Sequence, residues 1–255
     1  MSADSAVGLI AYPAPPTAWI REISATVAGD LVLIVSDSPD DFEAPYADVL
    51  VDSADQIGFG RARRLSMIVA SEFGDQCVVT DGDGQYTPES VRLVQETLVS
   101  SEADVVIPQR ESRSVWIEHD GDRIDREPFE RLETLCAARI SGVGLQPDFD
   151  CQPGGFGFHR DVLSDILPAG DWLSDWEITV NTLQSCRYET VTVAVNADQQ
   201  HETVFEWSDQ VRKLERIRDF GVDVTTVYKQ NKAQFGSDGR KLVRTALQAL
   251  DTHDP

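Results

Sequence analysis

The sequence predicts an α/β fold in which a mainly parallel central sheet carries helices on both faces. Short runs rich in Val, Ile and Leu alternate with stretches of helical period through the first 110 residues. Each run is bounded by Asp, Gly, Ser or Pro, the pattern of buried parallel strands. The 255 residues, 41% apolar and 8% aromatic, are enough chain to bury a large core.

Strands are predicted over 7–12, 31–35, 48–51, 76–80 and 104–107, with helices over 17–27, 59–73 and 88–100 between them. The helix at 88 has the clearest start, because Thr87 can cap it, Pro88 takes the first helical position and Glu89 meets the positive end of its dipole. In sheets built this way ligands bind beyond the carboxyl ends of the strands. The polar stretch 111–127 contains His119-Asp120-Gly121-Asp122, a turn signal for a hairpin or loop. Helical period returns over 129–140, 161–167, 175–186 and 204–220, with a strand over 189–195. A short amphipathic helix over 241–250 follows the turn Gly236-Ser237-Asp238-Gly239.

Charge narrows the functional classes. Forty-four acidic residues against 22 basic ones leave a net charge of -22, which repels nucleic acid. The cations are nearly all Arg, with Lys only at 213, 229, 232 and 241. This Asp-rich, Lys-poor balance resembles the proteins of salt-loving archaea. The four Cys, at 77, 136, 151 and 186, form no CxxC motif and are expected to be structural thiols. With His only at 119, 159, 201 and 253, no HExxH site is available. No apolar run reaches the roughly 20 residues of a membrane span, and residues 1–7 lack the marks of a signal peptide, so a cytoplasmic chain is expected.

The most informative segment is Val78-Val79-Thr80-Asp81-Gly82-Asp83-Gly84-Gln85-Tyr86-Thr87-Pro88-Glu89. A buried strand ends in two carboxylates one residue apart, and a capped helix follows. Alternate residues leaving a strand point the same way, so Asp81 and Asp83 can approach one ligand zone. Two hard oxygen donors suit Mg²⁺ or Mn²⁺, whose remaining positions go to water and substrate phosphate. A bare pair of this kind is also a common turn; the strand before and the helix after favour the site.

This segment resembles the Asp-x-Asp-x-Gln-x-x-Pro-Glu signature of the inverting family 2 GT-A glycosyltransferases, especially the dolichyl-phosphate mannose synthase-like branch. The resemblance implies that Asp81, Asp83 and Gln85 hold a divalent cation on the diphosphate of a nucleotide-sugar. Ile57-Gly58-Phe59-Gly60-Arg61-Ala62 is similar to the family's entry into its second helix, placing Arg61 near the nucleotide. Val105-Val106-Ile107-Pro108-Gln109-Arg110 is similar to its strand ending in Gly-Ser-Arg, and Asp150 to Arg160 resembles the segment beside the acceptor. Arg110 and Arg160 are thereby candidates for phosphate, which a guanidinium fork matches, or for surface ion pairs. The chain departs from the family at Ala11-Tyr12-Pro13-Ala14, where Asn-Glu is missing after Tyr12, and at Ser36-Asp37-Ser38, where only Asp37 aligns as a contact to base or ribose.

Asp171-Trp172-Leu173-Ser174-Asp175-Trp176-Glu177 is a second acidic cluster. By resemblance Asp175 lies where such enzymes carry either a carboxylate general base, which a hydroxyl acceptor needs and a phosphate acceptor does not, or an acceptor contact. Glu177 has two readings, a second catalytic carboxylate or one half of a capping box with Ser174. Trp172 and Trp176 are either stacking surfaces for sugar or lipid, or buried anchors. His201 corresponds to a third metal ligand in some GT-A enzymes, or is a solvated loop residue. Arg212, Lys213, Arg216 and Arg218 form either a solvated face or a peripheral contact with an anionic membrane.

The resemblance thus predicts a GT-A domain over 1–200, with a nucleotide-sugar half at 1–110, an acceptor half at 111–200 and a helical extension at 201–255. Its expected function is metal-dependent transfer of a sugar to a polyprenyl phosphate, a lipid-linked glycan or a small hydroxyl acceptor. The rival readings are a non-catalytic nucleotide-sugar-binding homologue and a nucleotidyltransferase, although residues 12–19 lack the Gly-rich basic signature of the latter.

Overall fold

The computed structural model describes residues 5–11, 16–36, 43–53, 55–111, 116–119, 121–170, 173–196 and 204–252. The chain begins β1 (Ser5–Ala11), α1 (Thr17–Thr26), β2 (Asp30–Ser36), β3 (Val49–Ser53), α2 (Phe59–Phe73), β4 (Gln76–Asp81), α3 (Pro88–Ser100) and β5 (Val105–Arg110). Then come β6 (Trp116–His119), β7 (Asp122–Asp125), α4 (Glu127–Ser141), β8 (Gly155–His159), α5 (Leu163–Ile166), α6 (Ser174–Ser185) and β9 (Tyr188–Val193). The last elements are β10 (Val204–Glu206), α7 (Trp207–Asp219), α8 (Val224–Asn231) and α9 (Ser237–Thr252). These fall into two compact units, one from residues 1–112 and 152–200, the other from 113–151 and 201–255.

The first unit is built on a seven-stranded sheet in the order β3-β2-β1-β4-β8-β5-β9. Its strands run parallel except β8, which is antiparallel to both β4 and β5. Side chains alternate across a strand, and here both sets are apolar. Val7, Leu9, Leu31, Leu33 and Val78 pack with Trp19, Ile20 and Ile23 of α1 and Val91, Val94 and Leu98 of α3. The alternate set, Ile10, Val32 and Ile34, meets Ala62, Leu65 and Val69 of α2. Helices therefore cover both faces, as the continuous apolar runs require.

The strand at β8 is absent from the sequence reading because Gly-Phe-Gly-Phe weakens every strand signal. Its glycines serve close packing: a Cβ on Gly157 would stand 2.9 Å from Val94 Cγ1, and one on Gly155 would stand 3.0 Å from the Val79 carbonyl oxygen. Winding from β1 through β2 to β3 goes one way, and β4 lies on the other side of β1. The chain thus reverses between β1 and β4, the kind of switch point beside whose strand carboxyl ends open α/β sheets bind ligands.

The second unit holds a three-stranded sheet in the order β10-β6-β7 with α4, α7, α8 and α9. The expected turn forms a hairpin in which His119 faces Asp122. Three residues expected to start a helix at 204 instead pair as β10 with β6, and the helix begins at Trp207 with a capping box between Glu206 and Asp209. Trp207 stacks on His119 with ring centroids 4.1 Å apart, and Phe129 meets it edge-on. Helix α8, which the sequence reading missed, is capped by Asp223 accepting from the Thr226 backbone N–H. Helix α9 begins within the expected glycine turn. Among the described residues no helix is long and apolar enough to cross a membrane.

Candidate functional site

The site forms where β4 ends. Val78, Val79 and Thr80 are buried in the sheet centre, so the strand delivers Asp81 to the sheet end beside β1. The Gly82 N–H donates to the Ile10 carbonyl at 2.6 Å, closing that end of the sheet. Asp83 Oδ1 accepts from the Gln85 N–H at 2.9 Å, a side chain that turns its own backbone. Tyr86 anchors the loop: it is buried, its hydroxyl donates to the Pro153 carbonyl and its own carbonyl accepts from Trp19 Nε1 at 2.8 Å. Thr87 then caps α3 as expected, accepting from the Ser90 N–H.

Residues 152–155 lie across the end of β4. The Gly154 carbonyl accepts from the Asp81 N–H at 2.9 Å and from Thr80 Oγ1 at 3.2 Å. Gly154 has φ +77, and a Cβ there would stand 2.9 Å from Asp81 Oδ2. Glycine suits that position, since a side chain would strain the backbone at this φ and crowd the carboxylate it faces. Arg110, at the end of β5, donates from Nη2 to the Gln152 carbonyl at 2.8 Å.

A residue that the sequence reading did not single out occupies the middle of this arrangement. Arg63, on the inner face of α2, donates from Nη2 to Asp81 Oδ1 at 2.7 Å and to the Gly154 carbonyl at 3.1 Å. Its Nε donates to Asp175 Oδ1 at 3.0 Å, across 112 residues of chain. The Arg63 side chain is 0% exposed, whereas that of Asp81 is 25% exposed. Burial works against the Arg63 charge, but Asp175 and Asp81 outweigh it and leave the guanidinium more basic than usual. Burial also pushes the Asp81 carboxyl above the ordinary aspartate range; Arg63 and Arg110 pull it back, while Asp175 and Asp83 add to the rise. The only signal in the sequence was an Arg at a position where α2 turns its apolar face to the sheet.

Asp175 enters from the first turn of α6. The residue before that helix, Leu173, sits in the left-handed region at φ 68, a conformation costly for a residue with a side chain. Ser174 is the first helical residue rather than the cap, so no capping box with Glu177 forms. Glu177 is buried, and its Oε2 accepts from the Ala169 and Gly170 N–H groups at 2.8 and 3.0 Å. That carboxylate holds the loop before α6. Trp176 is fully buried, which makes it an anchor and not a stacking surface.

The structure therefore brings Asp81, Asp83, Gln85, Arg110 and Asp175 to one end of the sheet. Arg160 is not among them. It follows β8, whose antiparallel run carries it to the opposite end, where its guanidinium pairs with Asp75. Arg61 is exposed in the first turn of α2. Tyr12, Asp37, Trp172 and His201 lie outside the described residues. On α7, Lys213 is buried and Arg216 lies over the Phe220 ring at 4.9 Å, so the basic residues do not form one open face.

A divalent cation fits the donor chemistry. Asp81 Oδ1 is taken by Arg63, but Oδ2 faces the space that Gly154 leaves by having no Cβ. Among the described residues no three His, Cys, Asp or Glu side chains converge as a closed metal cage. Two carboxylates with the remainder supplied by phosphate and water suit Mg²⁺ or Mn²⁺, which keep much of their hydration.

No protein-family model matches the chain, and no curated protein matches it. Solved structures do. Glucosyl-3-phosphoglycerate synthase from Mycobacterium tuberculosis, in complex with Mn²⁺, uridine-diphosphate and phosphoglyceric acid, superposes with a TM-score of 0.55 at 22% identity, over 76% of this chain and 70% of that one. S. aureus TarS, residues 1–349, superposes with a TM-score of 0.51 at 13% identity, over 84% of this chain and 64% of that one. These likenesses establish the GT-A glycosyltransferase fold.

Proposed function

We propose that this protein is a divalent-metal-dependent glycosyltransferase that takes a sugar from a nucleoside-diphosphate sugar and transfers it with inversion to a hydroxyl acceptor. The observation that carries the reading is the pair Asp81 and Asp83 at the carboxyl end of β4, beside the point where the sheet reverses, in a GT-A fold. The Mn²⁺ and uridine-diphosphate bound by the mycobacterial synthase support the same chemistry here.

Asp81 and Asp83 are the residues that would hold the cation. When bound, the cation supplies Lewis-acid stabilisation to the departing nucleoside diphosphate. Asp37 and Tyr12 would meet the nucleoside, and Arg110 the diphosphate, for which its planar fork is suited. Asp175 takes the proton of the acceptor hydroxyl as that oxygen attacks from the face opposite the leaving group. Glu177 supports it by fixing the preceding loop. The acidic composition suits concentrated salt, where screening shortens the range of self-repulsion.

Calorimetry in molar KCl tests the donor side. Uridine-diphosphate should bind with Mn²⁺, lose affinity when the metal is chelated, and lose its metal dependence in Asp83→Ala. Equal affinity with and without Mn²⁺ overturns the metal assignment. Binding without slow hydrolysis of any sugar in a panel of UDP-, GDP- and dTDP-sugars favours the non-catalytic binding reading instead.

A further inference from the structure

The reaction proposed above gives Arg63 no task, yet its side chain is wholly buried and bonds two acidic residues at the site. Removing a guanidinium from water is costly, and buried ion pairs are often no more stabilising than apolar side chains of the same volume. Arg63 nonetheless lies wholly inside, with Nε on Asp175 and Nη2 on Asp81. Its fork is not satisfied throughout, since among the described residues Nη1 is buried without a hydrogen-bond partner, and the Phe59 ring lies 5.2 Å from the guanidinium carbon. The orientation thus serves the two carboxylates rather than the needs of the arginine. One of those carboxylates is partly open, with Asp81 25% exposed, while the cation joining them is closed off from solvent.

A guanidinium is planar and rigid, so two nitrogens of one fork fix both the spacing and the direction of the oxygens they bind. We infer that Arg63 is a positioning residue: it holds the carboxylate of Asp175, on the acceptor side, at a set distance from that of Asp81, on the donor side. The inference rests on the proposed roles of those two residues. Asp175 stands in the first turn of α6, just after the strained Leu173, and its Oδ1 accepts from Arg63 Nε, a bond that fixes the direction of the carboxylate. A base misplaced by about 1 Å loses much of its effect, on the order of a hundredfold in rate.

The test is Arg63→Lys, which keeps the charge but replaces the fork with a single point that cannot bond both carboxylates at this spacing. Because the shorter and more exposed contact is to Asp81, the lysine is expected to keep that pair and release Asp175. The expected result is a folded protein whose Mn²⁺-dependent affinity for uridine-diphosphate stays within about threefold of wild type, as does the donor KM, while kcat falls at least about tenfold. In the double variant with Asp175→Asn, kcat should match that of Asp175→Asn alone within about twofold, since a residue acting through Asp175 has nothing left to act on. An unchanged kcat in folded Arg63→Lys, or losses that multiply in the double variant, overturns the inference and leaves Arg63 a structural ion pair.

If Arg63→Lys does not fold, Asp175→Glu asks the same question, because it keeps the charge and breaks the spacing by one methylene. A tenfold loss of kcat with Mn²⁺–uridine-diphosphate affinity retained is expected, and an unchanged kcat overturns the inference. A wild-type protein that neither binds uridine-diphosphate with Mn²⁺ nor cleaves any sugar nucleotide defeats the proposed reaction, and the positioning role with it. Wild-type activity matched by Arg63→Lys defeats only the latter.

Discussion

Gly154→Ala separates the backbone requirement of this site from its steric one. At φ +77 an alanine adopts a conformation that costs L-residues about 1–2 kcal/mol. Its Cβ would also stand 2.9 Å from Asp81 Oδ2, inside contact distance. The Asp81 carboxylate cannot simply swing away, because Oδ1 is held by Arg63 at 2.7 Å. For a chain of this size each kcal/mol moves the melting temperature by roughly 2–4 °C, so a drop of about 2–8 °C is expected. The crowded carboxylate should weaken Mn²⁺-dependent binding of uridine-diphosphate by about tenfold, or about 1.4 kcal/mol. Gly142→Ala is the control, with φ +72 and nothing within 4 Å of the added carbon. It should lower the melting temperature by a similar backbone cost and leave nucleotide affinity unchanged. Differential scanning fluorimetry and calorimetry on the three proteins decide the matter. Wild-type affinity in Gly154→Ala, or an equal loss of affinity in Gly142→Ala, refutes the placement of the metal beside Gly154.

Asp175→Asn should lower kcat by about 10²–10⁴ for a hydroxyl acceptor, with donor binding nearly intact; a mild effect in stopped-flow assays would point to an acceptor that is already anionic, such as a lipid phosphate. Asp104 joins β5 to β9 by accepting from Arg187, and the hydrogen bond from that guanidinium holds its carboxyl below the ordinary aspartate range. A carboxyl depressed in the folded state adds stability above the ordinary aspartate pKa and loses it as pH falls through the folded value. Asp104→Asn should therefore melt slightly lower than wild type at pH 7, with the gap closing as pH falls below the ordinary aspartate range and through the lower folded value; a gap independent of pH refutes the pairing. The melting temperature should rise from dilute buffer to molar KCl, because a net charge of -22 repels itself most when unscreened. A flat or falling trend removes the argument from salt.

Much of the first unit was legible along the chain because its information is local. Parallel strands buried on both faces are continuous apolar runs, and Thr87-Pro88-Glu89 announces a helix start by capping chemistry that needs no tertiary partner. Asp81 and Asp83 were visible for the same reason, since a strand, a turn and a helix in succession decide where two successive carboxylates stand. Elements whose reasons lie elsewhere in the chain were not legible. Strand β8 reads as a glycine-rich loop until Val94 and the Val79 carbonyl are seen pressing on Gly157 and Gly155. The stretch from 204 reads as helix until β6 is there to pair with its first three residues.

The sequence alone determined the alternation of strands and helices, the acidic balance and the position of the Asp81–Asp83 turn, all of which follow from side-chain period, charge and turn preference within a few residues. Only the tertiary structure decided which charges meet. It sent Arg160 to the far end of the sheet, because β8 runs against its neighbours, and spent Glu177 on two loop amides. It also brought Arg63 across 112 residues to Asp175. A buried guanidinium must find carboxylates wherever the fold supplies them, and no local pattern records that need.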